Sequence, residues 1–212
     1  MRKSIILSCF LVISVLFTAC SPDDPFTLLR CQFRIENTED FVVTGIQLDS
    51  LSSLSVTQIA EVLAVWGSGS CPVDFTLNIG IHNPNNGSTG PDIIPVTLSS
   101  LVWDLYLDGD SGIAFDTTWV ASGTMSQPLE VPGADETVIL PLDISFDAVP
   151  LMSDMGALEF IDMALAIGGI DSHLRDRDHI GRMLVTAVPT ISTPFGQMSY
   201  SGSLNISLDW VD

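Results

Sequence analysis

The stretch Val73–His82, with the sequence VDFTLNIGIH, alternates between apolar and more polar residues along its whole length. This period of two predicts a β-strand with one buried side and one solvent-facing side. The tripeptide Asn83-Pro84-Asn85 follows directly. Pro84 fixes its own φ and restricts the preceding residue to extended backbone, while asparagine side chains bond nearby backbone groups in turns. We therefore expect a long strand that ends abruptly at this tripeptide.

Three further runs show the same alternation and predict strands that pack on the first. They cover Leu101–Leu107, Val138–Phe146 and Tyr200–Leu208. Weaker strand patterns occur at 41–48, 113–121, 163–168 and 183–191. Short alternating strands separated by turn residues are typical of two packed antiparallel sheets. The sequence therefore predicts an all-β protein, an antiparallel β-sandwich.

One short amphipathic helix is predicted at about 55–66. Ser55 and Gln58 form an S-x-x-Q capping box, in which each side chain can bond a free backbone N–H at the helix start. The apolar stripe that follows consists of Ile59, Val62, Leu63 and Trp66. Gly67 suits the helix end because it adopts positive φ without strain. A second short helix around 151–161 has a weaker pattern.

The first twenty residues have the pattern of an export signal. Arg2 and Lys3 form a positive start, and Ile5–Phe17 is an apolar segment shorter than the roughly 20 residues of a membrane-spanning helix. The residues before Cys20 resemble the bacterial lipobox, with Phe17 where that pattern usually has Leu. The resemblance implies that residues 1–19 are a cleaved signal peptide and that Cys20 is acylated on its thiol. An ordinary secretory signal with an unrelated cysteine is the alternative.

Residues 20–32 are predicted to form a lipidated tether that precedes a single domain at 33–212. Asp23 and Asp24 lie in a polar, turn-rich segment. They resemble the acidic surface-export signals of Bacteroidota lipoproteins, and a generic solvated linker is the alternative. We therefore expect an outer-membrane lipoprotein of the cell envelope, on either the periplasmic or the surface face.

The charge of the chain excludes some partners. The net charge is −19, from 7 basic and 26 acidic residues, and the expected cleavage would remove Arg2 and Lys3. Such a surface repels nucleic acid, and it cannot dock on anionic lipid by charge. The membrane is therefore expected as a partner only through the acyl chains on Cys20. The apolar fraction of 46% indicates a folded chain.

Cys31 and Cys71 are the cysteines that lie in or next to the predicted domain. In an exported protein a disulfide between them is expected. It would close a loop of about 40 residues and contribute about 3–4 kcal/mol by loop entropy. Two free, buried thiols are the alternative.

Several short motifs occur in a characteristic order along the chain. They are Asn83-Pro84-Asn85, Ser122-Gly123, the segment from Pro132 to Thr137-Val138, and Pro194-Phe195-Gly196. This order resembles the group-2 late embryogenesis abundant family, also called the water-stress and hypersensitive-response (WHy) domain, over residues 35–208. The resemblance implies a seven-stranded sandwich of immunoglobulin or fibronectin-III type. It also implies structural rather than catalytic roles for Asn83, Pro84, Asn85, Gly123, Pro194 and Gly196.

The same resemblance implies a non-catalytic protein without a cofactor, which protects the envelope under stress or binds a lipid or protein ligand. The sequence agrees, because it contains no G-x-S-x-G, H-E-x-x-H or P-loop motif. The alternative function is a surface glycan-binding or adhesion accessory lipoprotein. Its contact residues would be exposed Trp103, Trp119 or Trp210.

Two acidic segments have some features of metal sites, and we expect no metal at either. The segment that contains Asp108, Asp110 and Asp116 lacks the invariant glycine and the final glutamate of an EF-hand loop. A hairpin turn explains these aspartates better. The charged segment 171–182 is longer than the corresponding link in the WHy family. It contains His173, His179, Asp171, Asp176 and Asp178, interleaved with Arg175, Arg177 and Arg182. A self-neutralising, solvated loop is the preferred interpretation, and a metal-dependent enzyme is the alternative.

Overall fold

The computed structural model describes residues 31–47, 55–84, 95–108, 117–133, 135–167, 183–194, 196–200 and 202–212. The strands are β1 (Gln32–Val43), β2 (Ile46–Gln47), β3 (Pro72–Asn83), β4 (Val96–Asp108), β5 (Thr117–Thr124), β6 (Leu129–Val131), β7 (Glu136–Asp147), β8 (Met183–Thr193), β9 (Gly196–Ser199) and β10 (Leu204–Ile206). The helices are α1 (Val56–Gly67), α2 (Val149–Met155) and α3 (Ala157–Ile167).

These strands form two antiparallel sheets, as an all-β sandwich requires. Sheet A has the order β2-β1-β3-β7. Sheet B has the order β10-β8-β4-β5, with β6 also paired to β4 and β9 also paired to β8. The end of the sandwich where β1 begins and β3 ends is termed the upper end, and the opposite end is the lower end.

Strand β3 lies in the middle of sheet A and contains the predicted strand at 73–82. It pairs with β1 on one edge and with β7 along its full length on the other. Its inward residues are Val73, Phe75, Leu77, Ile79 and Ile81, and all of them are buried. Each such side chain contributes about 1.5–3 kcal/mol when it is removed from water. Strand β3 therefore supplies much of the core.

The inner faces of both sheets and the apolar sides of the helices form one continuous core. Phe41 and Phe75 stack inside sheet A with their ring centroids 4.9 Å apart. Leu101 and Leu105 of β4, in sheet B, belong to the same cluster of buried side chains. Phe160 of α3 joins the same cluster. The helices therefore extend the core instead of lying on its surface.

The capping box at the start of α1 is confirmed. The backbone N–H of Ser55 donates to Gln58 Oε1 at 2.9 Å, and the backbone N–H of Gln58 donates to Ser55 Oγ at 3.2 Å. This reciprocal pair satisfies backbone donors that have no partner inside the helix.

The region after β7 is more helical than the sequence suggests. The single weak helix at 151–161 is two helices, α2 and α3, so α1 is one of three helices in the described residues. The strand expected at 163–168 is wrong, because α3 continues to Ile167. Residues 157–167 are rich in Ala, Leu and Met, which are strong helix formers, and their buried members recur at helical spacing. A run of apolar residues this short does not distinguish a buried helix from a strand.

The expected disulfide between Cys31 and Cys71 is also wrong, because both thiols are free and buried. Cys31 precedes β1 at the upper end, whereas Cys71 precedes β3 at the lower end, beside the last residues of β1. Antiparallel pairing thus separates them by nearly a full strand, or about 35 Å at roughly 3.4 Å per residue. A disulfide requires Cα atoms less than about 7 Å apart.

The last residues of the chain connect the two sheets. Strand β10 pairs with β8 of sheet B. The chain then crosses to sheet A, where Val211 exchanges two backbone hydrogen bonds with Phe33 at 2.8 and 3.0 Å. The backbone N–H of Ile35 also donates to the Ser207 carbonyl at 2.6 Å. Residues 204–212 are therefore termed the C-terminal strap.

Gly123 should be required for packing of the core. It lies opposite Trp103, and a Cβ atom added to it would stand 2.8 Å from Trp103 Cε2. We expect Gly123→Ala to lower the free energy of unfolding by about 1–3 kcal/mol, measured by urea denaturation. Gly67→Ala is the matched control, since nothing lies within 4 Å of its added Cβ. Equal stability of the two variants would contradict this role of Gly123.

Asp147 should make the stability depend on pH. Its Oδ1 accepts hydrogen bonds from the backbone N–H groups of Val149, at 2.9 Å, and Cys71, at 3.0 Å. These bonds hold the pKa of Asp147 below its ordinary value of 3.8. The stabilisation that these hydrogen bonds give the folded protein is therefore present above the unfolded-state pKa of Asp147. It is lost as the pH falls through the lowered pKa of Asp147 in the folded state.

We expect Asp147→Asn to be less stable than the parent protein at about pH 7, with a deficit that shrinks towards about pH 2. Urea denaturation across this range measures the deficit. Asp143→Asn is the control, because Asp143 lies on the same strand and its carboxylate meets a hydroxyl, Thr76 Oγ1, at 3.5 Å. A deficit that stays constant with pH would contradict the expectation.

Candidate functional site

Several residues predicted to act lie outside the described residues. They are Cys20, Asp23, Asp24, Asn85, Asp110, Asp116 and the segment 171–182. The predicted roles in lipidation, export and turn formation stay predictions, and so does the expectation that no metal binds at Asp110, Asp116 or the segment 171–182. Within the described residues, no three His, Cys, Asp or Glu side chains are grouped as metal ligands. No helix in this part of the chain is long and apolar enough to cross a membrane.

The motif residues that the structure describes lie at turns and at contacts between sheets. Asn83 is fully buried, and its Nδ2 lies 3.4 Å from the carbonyl oxygen of Val131, so it links the end of β3 to β6 of sheet B. Pro84 follows it. Pro194 begins the turn between β8 and β9, and Gly196 ends that turn with φ of +133°. Only glycine adopts this φ without strain.

The outer face of sheet A carries a bulge that positions two charged side chains. The pairing of β1 with β3 shifts between Ile35 and Asn37, so Glu36 is an extra residue. Arg34 donates from Nε to Glu36 Oε1 at 2.8 Å and from a terminal nitrogen to Oε2 at 3.0 Å. Glu36 lies over Gly80, where an added Cβ would stand 2.9 Å from Glu36 Cγ. The bulge and the glycine together make room for this bidentate pair.

Trp210 of the C-terminal strap packs beside the same pair. The Arg34 guanidinium carbon lies 4.4 Å from the centroid of the indole. The His82 ring lies 5.4 Å from Trp210, and His82 Nε2 lies 3.1 Å from Asp135 Oδ1. A cation held over an indole face stabilises the contact by roughly 0.5–1 kcal/mol. Trp210 is therefore partly covered by contacts within the molecule, and these contacts hold the strap on sheet A.

A groove of about 420 Å³ lies beside this cluster. Its lining residues are Glu36, Asn37, Glu39, Asn78 and Ile139. Asn78 donates from Nδ2 to Asn37 Oδ1 at 2.9 Å, and Asn37 donates in turn to Glu39 Oε1 at 3.3 Å. Asn37, Asn78 and Glu39 thus bond one another, while Glu36 bonds Arg34, so these polar groups stabilise the bulge.

The two cysteines of the domain are in surroundings that suppress thiol chemistry. Burial raises the pKa of Cys31 to about 12. Burial, and secondarily the charge of Asp147, raises the pKa of Cys71 to about 11. Both groups are therefore protonated at neutral pH, and the thiolate that acts as nucleophile or metal ligand is suppressed.

The outer face of sheet B has a different composition from that of sheet A. On sheet A, the described charged side chains include Arg34, Glu36, Glu39, Asp74 and Asp143. On sheet B, the register places Asp104 and Glu130 outward among the described side chains. Hydroxyl and amide groups occupy much of the remainder, namely Ser100, Ser122, Thr124, Thr186, Thr190, Ser192, Gln197, Ser199 and Asn205. This face is therefore polar but carries little charge.

Trp119 is the large exposed aromatic residue of that face, with 54% of its surface accessible. The pairing of β4 with β5 shifts between Leu105 and Tyr106, so Val120 is an extra residue. Without this bulge, alternation from buried Ala121 would place residue 119 inside the sandwich. The bulge turns Val120 towards the core and Trp119 outward.

The three tryptophans proposed as ligand contacts therefore differ in what they can do. Trp103 is buried, with 6% exposure, and its ring fills the space above Gly123. Trp210 is partly covered by Arg34 and His82. Trp119 presents a large exposed surface, and its Nε1 donates to Asp104 Oδ1 at 3.1 Å. Sequence alternation alone could not identify it, because its orientation depends on the bulge.

Comparison with known proteins gives similar solved structures but no family. No family model and no curated protein matches the chain. It is similar to a protein from Archaeoglobus fulgidus, with 10% identity and a TM-score of 0.33, over 84% of this chain and 99% of that one. Structural genomics target SoR45 has 8% identity and a TM-score of 0.33, over 85% of this chain and 83% of that one.

A candidate late embryogenesis abundant (LEA) protein has 15% identity and a TM-score of 0.33, over 99% of this chain and 84% of its own. At this level of similarity the three structures assign the chain to no family. The sandwich fold is established by its own sheet topology.

Proposed function

We propose that this protein is a non-catalytic lipoprotein of the outer membrane, anchored by acyl chains on Cys20, whose sandwich protects the envelope by binding a ligand at its surface. The observation that carries the proposal is the contrast between the two outer faces. Sheet A uses its charged groups to hold its own bulge and the C-terminal strap. Sheet B leaves a nearly uncharged face with an exposed tryptophan.

Surface binding is favoured over a ligand held inside the sandwich. Leu77 of sheet A, Leu105 of sheet B and Phe160 of α3 belong to one continuous cluster of buried side chains. An acyl chain between the sheets would have to displace these contacts, and the loss of one large core side chain costs about 2–5 kcal/mol. An exposed sheet face carries no such cost.

The position of the N-terminal segment agrees with an anchored module. Cys31 lies at the upper end, directly before β1, and its carbonyl accepts a hydrogen bond from the Tyr200 hydroxyl at 2.8 Å. A tether from Cys20 would therefore join the sandwich at one end. Both outer faces run along the length of the sandwich, away from that end, so they would remain accessible.

The anchor is tested by Cys20→Ser in the native host. We expect a diacylated N-terminal peptide that begins at Cys20 in the parent protein, and an unacylated protein that leaves the membrane fraction in the variant. Mass spectrometry of the N-terminal peptide and fractionation of the envelope measure these outcomes. Cys9→Ser is the matched control, because Cys9 lies in the predicted signal and should be dispensable. An unmodified Cys20 in the parent protein would exclude the anchor.

A further inference from the structure

We propose that the outer face of sheet B binds a neutral polysaccharide, with Trp119 as the surface on which a sugar ring stacks. This inference rests on the proposed function and names the ligand class of the face assigned there. Its basis is the geometry of Trp119, the arrangement of polar groups around it, and the low charge of the face.

Trp119 is held in place before any ligand binds. Its Nε1 donates to Asp104 Oδ1, in the next outward-facing pair along the sheet, so the indole extends over the neighbouring strand. More than half of its surface remains exposed. An aromatic ring that is already fixed loses little conformational entropy on binding. The face of the ring is apolar and carries partial negative charge, which suits the C–H groups on the face of a pyranose.

The residues around the indole alternate between apolar and hydrogen-bonding rows. Tyr106 and Leu184 continue the row of Trp119 across β4 and β8. The next row consists of Ser122, Asp104, Thr186 and Asn205. The row beyond contains the exposed pair Val102 and Val188. A sugar chain has the same two features, apolar ring faces and a rim of hydroxyl groups, so it can contact both kinds of row.

The charge of the face selects a neutral polymer. The chain has 26 acidic residues against 7 basic ones, which repels polyanions at long range. Within the described residues Arg34 is the only Lys or Arg, and it lies on sheet A, bonded to Glu36. Sheet B therefore offers no described cation to pair with the carboxylates or sulfates of an acidic glycan. A cationic partner would be drawn to the more acidic sheet A.

The polar row also argues against a second copy of the chain as the occupant. The apolar rows are separated by Asp104 and Thr186, so they form no continuous apolar patch. Burying this row against an identical face would oppose two Asp104 side chains of like charge. A hydrated polysaccharide can instead donate hydroxyl hydrogen bonds to these groups.

The experiment measures retardation of the protein, purified from the envelope of its native host, in native gels that contain a neutral polysaccharide. Dextran, xyloglucan and galactomannan are the neutral probes, and polygalacturonate is the anionic control. We expect at least one neutral probe to retard the parent protein and polygalacturonate to have no effect. Trp119→Ala should weaken binding about tenfold or more, and Trp119→Phe should weaken it less because an aromatic face remains.

Ile139→Ala is the matched control, because Ile139 is a similarly exposed apolar residue, 47% accessible, on the opposite sheet. Near-ultraviolet circular dichroism verifies that each variant is folded.

The proposal is overturned if no neutral probe retards the parent protein, if both alanine variants lose binding equally, or if polygalacturonate binds as well. It is also overturned if sedimentation shows a dimer that Trp119→Ala dissociates. Mass analysis of Cys20 in the same preparation tests the anchor separately, so failure of the two proposals can be distinguished.

Discussion

Strand β3 is hydrogen-bonded on both of its edges, and this double pairing sets the position of the other elements. Its partners β1 and β7 run antiparallel to it, so each loop or helix that follows them must begin at a defined end of the sandwich. The α2 helix starts where β7 ends beside Pro72, and Asp147 bonds both segments there. The same pairing places Cys31 and Cys71 at opposite ends. A single strand thus determines which residues can meet.

The bulges at Glu36 and Val120 are two of the places where the sheets depart from regular alternation, and both shape an outer face. At Glu36 the extra residue directs a carboxylate towards Arg34 above Gly80. At Val120 it directs Trp119 into solvent. A bulge locally increases twist and changes the direction of a side chain, at the cost of a regular ladder bond. On sheet A the result is internal stabilisation, whereas on sheet B it is an exposed aromatic group.

The sequence is sufficient for the strands whose alternation is long and for the helix with a capping box. The strand at 73–82, the runs at Leu101–Leu107 and Val138–Phe146, and the reciprocal bonds of Ser55 and Gln58 all follow from local patterns. The wrong disulfide and the strand wrongly expected at 163–168 have a different origin. Strand register separates the two cysteines, and tertiary burial selects helix for an ambiguous apolar run, and neither is a local property. The exposure of Trp119 could not be predicted from local alternation for the same reason. One inserted residue, Val120, moves the Trp119 side chain to the other side of the sheet.

The C-terminal strap and Tyr200, which precedes it, make the two ends of the domain depend on each other. The Tyr200 hydroxyl bonds the carbonyl of a residue 169 positions earlier, and Val211 pairs with Phe33. Contacts between such distant residues slow folding, to milliseconds or seconds in sandwiches of this kind. The edge of β1 remains open until the final residues are free to reach it. Because a chain is synthesised from its N-terminal end, the pairing of β1 with β3 can precede the contacts of β1 with residues 204–212, which close the sandwich last.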